Sequence, residues 1–188
     1  MDGGALEDVT ITNLAMTDIV NSPIFLRIGS RLRGPAGVQP AKFRRVSISH
    51  VVAHGVTAEQ GILIAGLPGH PISDVSLSDV VIDFAGGGAP ERSLREVPEL
   101  ERGYPEPGSF GVLPAYGLYA RHAADVSLDN VRFHVESEDR RPALLLDDVD
   151  VCDLSHVSAE EPADVPVLVG RSVTHFRADA SPGLAPMP

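Results

Sequence analysis

Three arginines close together are the side chains of this sequence that most directly suggest binding chemistry. Arg27, Arg31 and Arg33 lie on one short segment. A guanidinium group binds a carboxylate through two parallel hydrogen bonds. Arg27 alternates with apolar residues in segment 23–28, so we expect it to point outward. This pattern suits a ligand that carries carboxylates, and the alternative is a solvated loop in which the arginines pair with nearby acidic residues.

Other side chains suit contacts with a sugar. His70 lies in a Pro-Gly-His-Pro turn, where an imidazole could hydrogen-bond a hydroxyl, although a surface turn histidine is the simpler interpretation. Tyr104, Tyr116 and Tyr119 have rings that could stack on a sugar, and Arg121 ends the same segment as a rim contact. Tyr116 and Tyr119 could equally fill the space beneath a long loop.

Composition argues against several classes of partner. The net charge is −11 and Lys42 is the one lysine, which opposes binding to nucleic acid. No apolar run is long enough to span a membrane, and residues 1–4 have no signal-peptide pattern. Cys152 stands alone, so no intramolecular disulfide forms. No metal-ligand spacing is recognisable, and we expect neither a metal nor a cofactor.

An internal repeat indicates which elements position these side chains. Each copy reads polar, apolar, small polar, apolar, polar, polar, apolar, and the copies are residues 8–14, 45–51, 74–80, 125–131 and, more weakly, 151–157. This alternation predicts strands with one buried face. The predicted inward positions are Val9 and Ile11, Val46 and Ile48, Val75 and Leu77, Val126 and Leu128, and Cys152 and Leu154.

The polar residue before the last apolar position of each copy predicts a corner. These residues are Asn13, His50, Asp79, Asn130 and His156. Polar side chains at one fixed corner suit a ladder that satisfies the backbone groups of a turn. We therefore interpret the two histidines as corner residues and not as metal ligands or bases.

Short apolar segments between the copies predict a second set of strands, at residues 23–28, 61–65, 116–121, 143–146 and 165–169. Unevenly spaced strands without helical patterns favour a solenoid of stacked parallel coils over a propeller, and an antiparallel β-sandwich is the main alternative. We predict coils over residues 1–180, a loop insertion at about 86–115, and a flexible tail at 181–188.

A family resemblance appears in four segments. Residues 6–19, 22–29, 66–72 and 103–122 resemble sequences that follow the catalytic coils of family 28 glycoside hydrolases, the polygalacturonases and rhamnogalacturonan-cleaving enzymes. The resemblance covers about residues 4–160. It implies part of a right-handed single-stranded parallel β-helix of the pectin-lyase-like type. It also implies inverting hydrolysis of a uronate-containing polysaccharide, so the expected partner is an acidic, pectin-like polysaccharide.

The catalytic motifs of that family are absent from this chain. The family carries an Asn-Thr-Asp motif, an Asp-Asp pair, a Gly-His-Gly and an Arg-Ile-Lys, and none appears here in that order or spacing. We interpret Asp147 and Asp148 as a strand-end turn, and the Gly69-His70-Pro71 run as a superficial likeness. We therefore assign no catalytic residue.

Three functions stay open at this point. The first is the C-terminal part of a pectin-degrading hydrolase, inactive alone; the others are a non-catalytic carbohydrate-binding or assembly module and a purely structural solenoid. Because the first repeat begins near residue 6, we expect an apolar cross-section at the N-terminal end of the stack. Either self-association or an upstream segment would cover it.

Overall fold

The structure is a computed structural model that describes residues 2–31, 33–161 and 165–184. Within these residues it contains nine strands and two short 3-10 helices. The strands are β1 (Ala5–Thr17), β2 (Phe25–Arg27), β3 (Lys42–Val56), β4 (Ile62–Ala65), β5 (Ile72–Gly86), β6 (Leu118–Ser137), β7 (Leu144–Ser155), β8 (Ser158–Ala159) and β9 (Leu168–Asp179). The helices are Pro90–Leu94 and Pro107–Phe110, and no helix of the described chain is long and apolar enough to cross a membrane.

The strands form one large parallel sheet with two ladders. The repeat-bearing strands follow the order β1, β3, β5, β6, β7, β9, and the short segments follow the order β2, β4, β6, β7, β9. Every pairing between these named strands is parallel, so the antiparallel sandwich is wrong. In β6, β7 and β9 the short segment runs directly into the next repeat, which is why these strands belong to both ladders.

The predicted inward column is confirmed. Val9 pairs with Val46, Val46 with Val75, Val75 with Val126, and Val126 with Cys152. The second inward column runs through Ile11, Ile48, Leu77, Leu128 and Leu154 in the same register. Side chains of similar size therefore lie directly on one another along the sheet, and the middle members of both columns are almost completely buried.

The corners are made by single residues in the left-handed region. Asn13, His50, Asp79, Asn130 and His156 have φ values of 61, 54, 54, 53 and 53°. Such a residue redirects the chain while pairing continues on both sides of it, and Asn and Asp tolerate this conformation best. The side chains also bond one another, since Asn130 Nδ2 donates to Asp79 Oδ1 at 2.7 Å.

A second row of corners lies at the first residue of each repeat. Asp8, Arg45, Asp74, Asp125 and Val151 have φ between 53 and 60° and stand next to one another across the strands. The alternation pattern did not reveal this row, because a single left-handed residue leaves the order of apolar positions unchanged.

The connection between β5 and β6, residues 87–117, packs as an extra layer on the second ladder. Phe110, Leu113 and Ala115 of the connection are fully buried against Leu63 and Leu145 of the sheet. This second apolar cluster lies on the face opposite the main core. This packing orders the connection on the sheet.

A buried ion pair fixes both ends of this connection. Arg141 is 1 % exposed and its Nη2 donates to Asp139 Oδ2 at 2.6 Å. The same guanidinium donates to the carbonyl oxygens of Leu113 and Ala58. A buried charge is tolerated only when it is paired and hydrogen-bonded, and here both conditions are met.

The predicted flexible tail is only partly described. Residues 185–188 lie outside the described residues. In the described part, Leu184 is 3 % exposed, packs into the main core, and donates its amide to Ser181 O at 3.2 Å. Leu184 therefore anchors the described part of this tail to the core, while Pro182 and Gly183 are exposed.

If the two columns point inward, truncating a side chain in the middle of a column should lower the free energy of unfolding strongly. Leu128→Ala should lower the free energy of unfolding by about 2–5 kcal/mol, because it leaves a cavity between two packed layers. Ser127→Ala, the outward neighbour on the same strand, is the matched control and should change it by less than about 0.5 kcal/mol. Urea denaturation measures both. Equal effects of the two substitutions would contradict the inward assignment.

Candidate functional site

The structure brings five of the eight predicted binding residues to the region where the 87–117 connection lies on the second ladder. These are Arg27, Arg31, Tyr104, Tyr119 and Arg121. Arg27 occupies the outward side of β2, as predicted, and belongs to an outward row. That row runs across the strands through Arg27, Ala65, Arg121, Asp147 and Arg171.

The three arginines of this row hold the backbone of the connection. Arg27 Nη1 donates to Tyr104 O at 2.7 Å, and Nη2 donates to Leu100 O. Arg121 donates to the carbonyl oxygens of Val97 and Pro98, both at 2.7 Å. These two guanidinium groups are therefore occupied by the protein's own carbonyl groups.

Arg171 continues the same contact at the other end of the row. Its Nη2 donates to Ser93 O at 3.3 Å. The connection thus crosses the ladder from β9 towards β2, and β9, β6 and β2 each contribute one arginine to it. Arg95, within the connection, donates to Phe110 O and Val112 O and closes the loop on itself.

The ring of Phe110 contacts the guanidinium groups of both Arg27 and Arg121. The Phe110 ring centroid lies 5.1 Å from Cζ of Arg27 and 5.8 Å from Cζ of Arg121. A guanidinium over an aromatic face is favourable, and more so when water is excluded. Burial, together with the nearby charges of Arg121 and Arg31, holds the pKa of Arg27 below its usual range.

Tyr119 and Tyr116 are buried and present no ring face to solvent. Tyr119 is 2 % exposed beneath the connection, and burial raises its pKa to about 12. Its hydroxyl lies 3.5 Å from Asp147 Oδ2. Tyr116 is 1 % exposed in the main core and donates its hydroxyl to Glu160 O at 2.8 Å. The alternative given for Tyr119, that it fills space beneath the loop, describes its position.

Tyr104 and Arg31 form the accessible part of this region. Tyr104 is 66 % exposed, and Cζ of Arg31 lies 5.3 Å from its ring centroid. Because Arg27 holds the Tyr104 carbonyl, the backbone beneath the exposed ring is fixed. A ring and a guanidinium presented together in this way suit an anionic sugar.

The remaining two predicted residues lie elsewhere. Arg33 is exposed, and its backbone amide donates to Asp2 Oδ2 at 2.6 Å. His70 lies in a turn between β4 and β5, among residues 41–44 and 69–73 and not beside the connection. The structure therefore does not unite Arg33 and His70 with the five residues that meet at the connection.

A network that sequence reasoning missed joins the connection to β6 and β7. His122 Nδ1 lies 2.6 Å from Asp148 Oδ2, and His122 Nε2 lies 3.1 Å from Glu99 Oε1. Glu99 also pairs with Arg121 Nη2 at 3.2 Å. The network therefore places one carboxylate at each ring nitrogen of His122.

The interpretation of Asp147 and Asp148 as a strand-end turn is wrong. Both lie inside β7, and Asp148 is a left-handed corner with φ 57°. Pairing with β9 continues beyond them from Val149 onward. Two polar residues after an apolar run suggested a strand end, but in this sheet such residues mark a bend at which the strand continues.

The described residues contain no group of three or more His, Cys, Asp or Glu side chains arranged to hold a metal ion. Comparisons with models of protein families, with curated proteins and with solved structures each returned no match for this chain.

The arginine row predicts that Arg121 stabilises the connection. Arg121→Met should lower the free energy of unfolding by about 1.5–3 kcal/mol, because the carbonyl groups of Val97 and Pro98 lose their charged donor. It should also speed amide hydrogen exchange in residues 91–106. Arg102→Met, an exposed arginine of the same connection, is the control and should change neither. Unchanged exchange in the Arg121 variant would show that apolar packing alone holds the connection.

Proposed function

We propose that this chain is the C-terminal part of a pectin-degrading hydrolase of glycoside hydrolase family 28. In this proposal the two ladders wind as a right-handed single-stranded parallel β-helix. The support is the register of the repeat, in which five copies lie in one parallel column. Crossovers between parallel strands of one sheet are right-handed in nearly all proteins, which supports the handedness.

The carboxylates that contact His122 and Tyr119 support inactivity of this chain alone. Inverting glycoside hydrolysis needs one carboxylic acid and one carboxylate facing the same glycosidic bond from opposite sides. Here Asp148 and Glu99 are bonded to His122, and Asp147 lies beside the Tyr119 hydroxyl. These groups are engaged with the protein itself and do not form an open pair.

A non-catalytic carbohydrate-binding module is the second proposal. Tyr104 and Arg31 carry it, because they present an exposed ring and a guanidinium on a backbone that Arg27 holds in place. In a larger enzyme the same surface would form part of a substrate groove. Both proposals therefore place an acidic polysaccharide on this surface and differ in whether catalysis occurs.

We expect no release of reducing ends from polygalacturonate or rhamnogalacturonan by the isolated chain, since general acid and base groups supply several orders of magnitude in rate. We expect binding of polygalacturonate, measured by affinity electrophoresis, that weakens about 5–10-fold in Tyr104→Ala, equivalent to about 1–1.4 kcal/mol. Leu94→Ala, another exposed residue of the connection at 78 %, is the control and should bind normally.

Two results would count against these expectations. Turnover that disappears in Asp147→Asn or Asp148→Asn would assign catalysis to this chain. Equal retardation of the Tyr104→Ala and Leu94→Ala variants by polygalacturonate would contradict the proposal that Tyr104 binds the sugar.

The unpaired edge of β1 supports a proposal of self-association. Within the described residues β1 pairs only with β3, and Leu6 and Ile11 are 39 % and 37 % exposed. An unpaired strand edge with apolar side chains is a template for another strand. We propose that this edge self-associates when no other segment covers it.

The oligomeric state measured by light scattering tests this self-association. The chain should form species larger than a monomer at high concentration, and Ile11→Lys should shift it to the monomer by placing a charge in the contact. Val20→Lys, at a 75 % exposed position beyond β1, is the control and should leave association unchanged. A monomer at every concentration would contradict the proposal.

A further inference from the structure

A tight turn holds His70 in a fixed position. Leu67 N donates to His70 O at 3.0 Å, and His70 N donates to Leu67 O at 2.8 Å. Pro68 and Gly69 form the tip, and Gly69 has φ +73°, the left-handed conformation that the third residue of a type II turn requires. The histidine side chain is thus presented from a closed two-residue loop.

The start of this turn is also constrained. A Cβ added to Gly66 would come within 2.1 Å of His122 O, so the backbone of β4 passes directly over β6 at this point. Pro71 restricts the backbone of His70 on the other side. A side chain held in this way loses little conformational entropy when it binds a ligand.

His70 lines a concavity that the 87–117 connection does not reach. Its volume is about 220 Å³, and its lining comes from residues 41–44 and 69–73. Lys42, Arg44, His70 and Ser73 supply the polar groups, and Phe43 and Pro71 supply apolar surface. The one lysine of a chain with net charge −11 therefore lies beside an arginine and a histidine.

The local charge is positive. Arg44 Nε donates to Glu7 Oε1 at 2.8 Å, and Arg45 bonds both Glu7 and Asp8. Hydrogen bonds from Arg44 and then Arg45 hold the pKa of Glu7 below its usual range, so it stays ionised. Within the described part of the chain, the lining of the concavity holds the cations Lys42 and Arg44 and no carboxylate. With Glu7, the partner of Arg44, counted against them, an excess of one positive charge remains before His70 is counted.

Two of the polar groups are free to bind. Across the residues that the structure describes, no side-chain hydrogen bond or ion pair involves Lys42 or His70, and the Lys42 side chain is exposed. Arg44 and Ser73 are neighbours in one outward column that continues to Ala124. Because Ala124 is small, the side of the concavity towards β6 stays open. Asp74 faces the neighbouring groove beyond the corner, together with Asp8 and Arg45.

We propose that this concavity is a binding site for a single hexuronate unit. Lys42 and Arg44 bind the sugar carboxylate, while His70 and Ser73 hydrogen-bond ring hydroxyls against the apolar surface of Phe43 and Pro71. A positive site with hydroxyl-binding groups suits an anionic sugar better than a simple anion. The choice of a uronate over other anionic sugars rests on the proposed function; the anion site itself rests on these residues alone.

Histidine imidazole signals in NMR spectra of the whole chain test the site, with the His70 signal assigned from the spectrum of His70→Gln. Galacturonic acid should shift the His70 signal in a saturable way. Neutral galactose at the same concentrations should not shift it. Lys42→Gln should raise the dissociation constant for galacturonic acid at least 5-fold, and Arg132→Gln, an exposed arginine on another face, should leave it unchanged.

Inorganic phosphate and galactose 1-phosphate test whether the site prefers a sugar carboxylate to a phosphate group. Both should bind more weakly than galacturonic acid. Equal binding of inorganic phosphate would overturn the uronate assignment, and equal shifts with galactose would overturn the role of the charge. An unshifted His70 signal would overturn the site. In that case, polygalacturonate binding that depends on Tyr104 would leave the proposed function standing, so the two failures are distinguishable.

Discussion

Every contact described above depends on strands that pair in parallel with identical positions aligned. A parallel neighbour places its side chain about 4.8 Å from the equivalent one, so each inward residue must match the size of the residues above and below it. The chain meets this requirement with Val, Ile, Leu and Cys152 in the inward columns. A slip by one residue would turn all of these side chains outward. Register is therefore set by burial, and the outward rows follow from it.

The outward rows show how one register produces different surfaces. On the second ladder the row with Arg27, Arg121 and Arg171 binds carbonyl groups between Ser93 and Tyr104 of the 87–117 connection, and apolar packing holds the later part of that loop. Near the row of corners through Arg45 and Asp74, the column with Arg44 and Ser73 stays uncovered and contributes to a positive concavity. The two surfaces differ in what covers each row, because both rows consist mainly of polar residues at equivalent spacing.

The inward columns and the row of corners through Asn13 and His50 could be predicted from the sequence, because alternation and position within a repeat are local properties. The roles of Arg27 and Arg121 could not. Their partners lie far away in the sequence, at Leu100 and Tyr104 for Arg27, and are backbone carbonyl groups that leave no trace in residue type. The network of His122 with Glu99 and Asp148 was missed for the same reason, since it joins three segments that only the fold brings together.

Engineered disulfides test the aligned parallel register most directly. In a Cys152→Ala background, Ser76→Cys with Ser127→Cys places two thiols at paired outward positions, where a Cα separation of about 4.8 Å permits a disulfide. Ser76→Cys with Asp129→Cys offsets the second thiol by two residues along the same strand. The account predicts rapid, near-complete oxidation of the first pair, with a raised unfolding midpoint, and slow or incomplete oxidation of the second. Equal oxidation of both pairs, or preference for the offset pair, would contradict it.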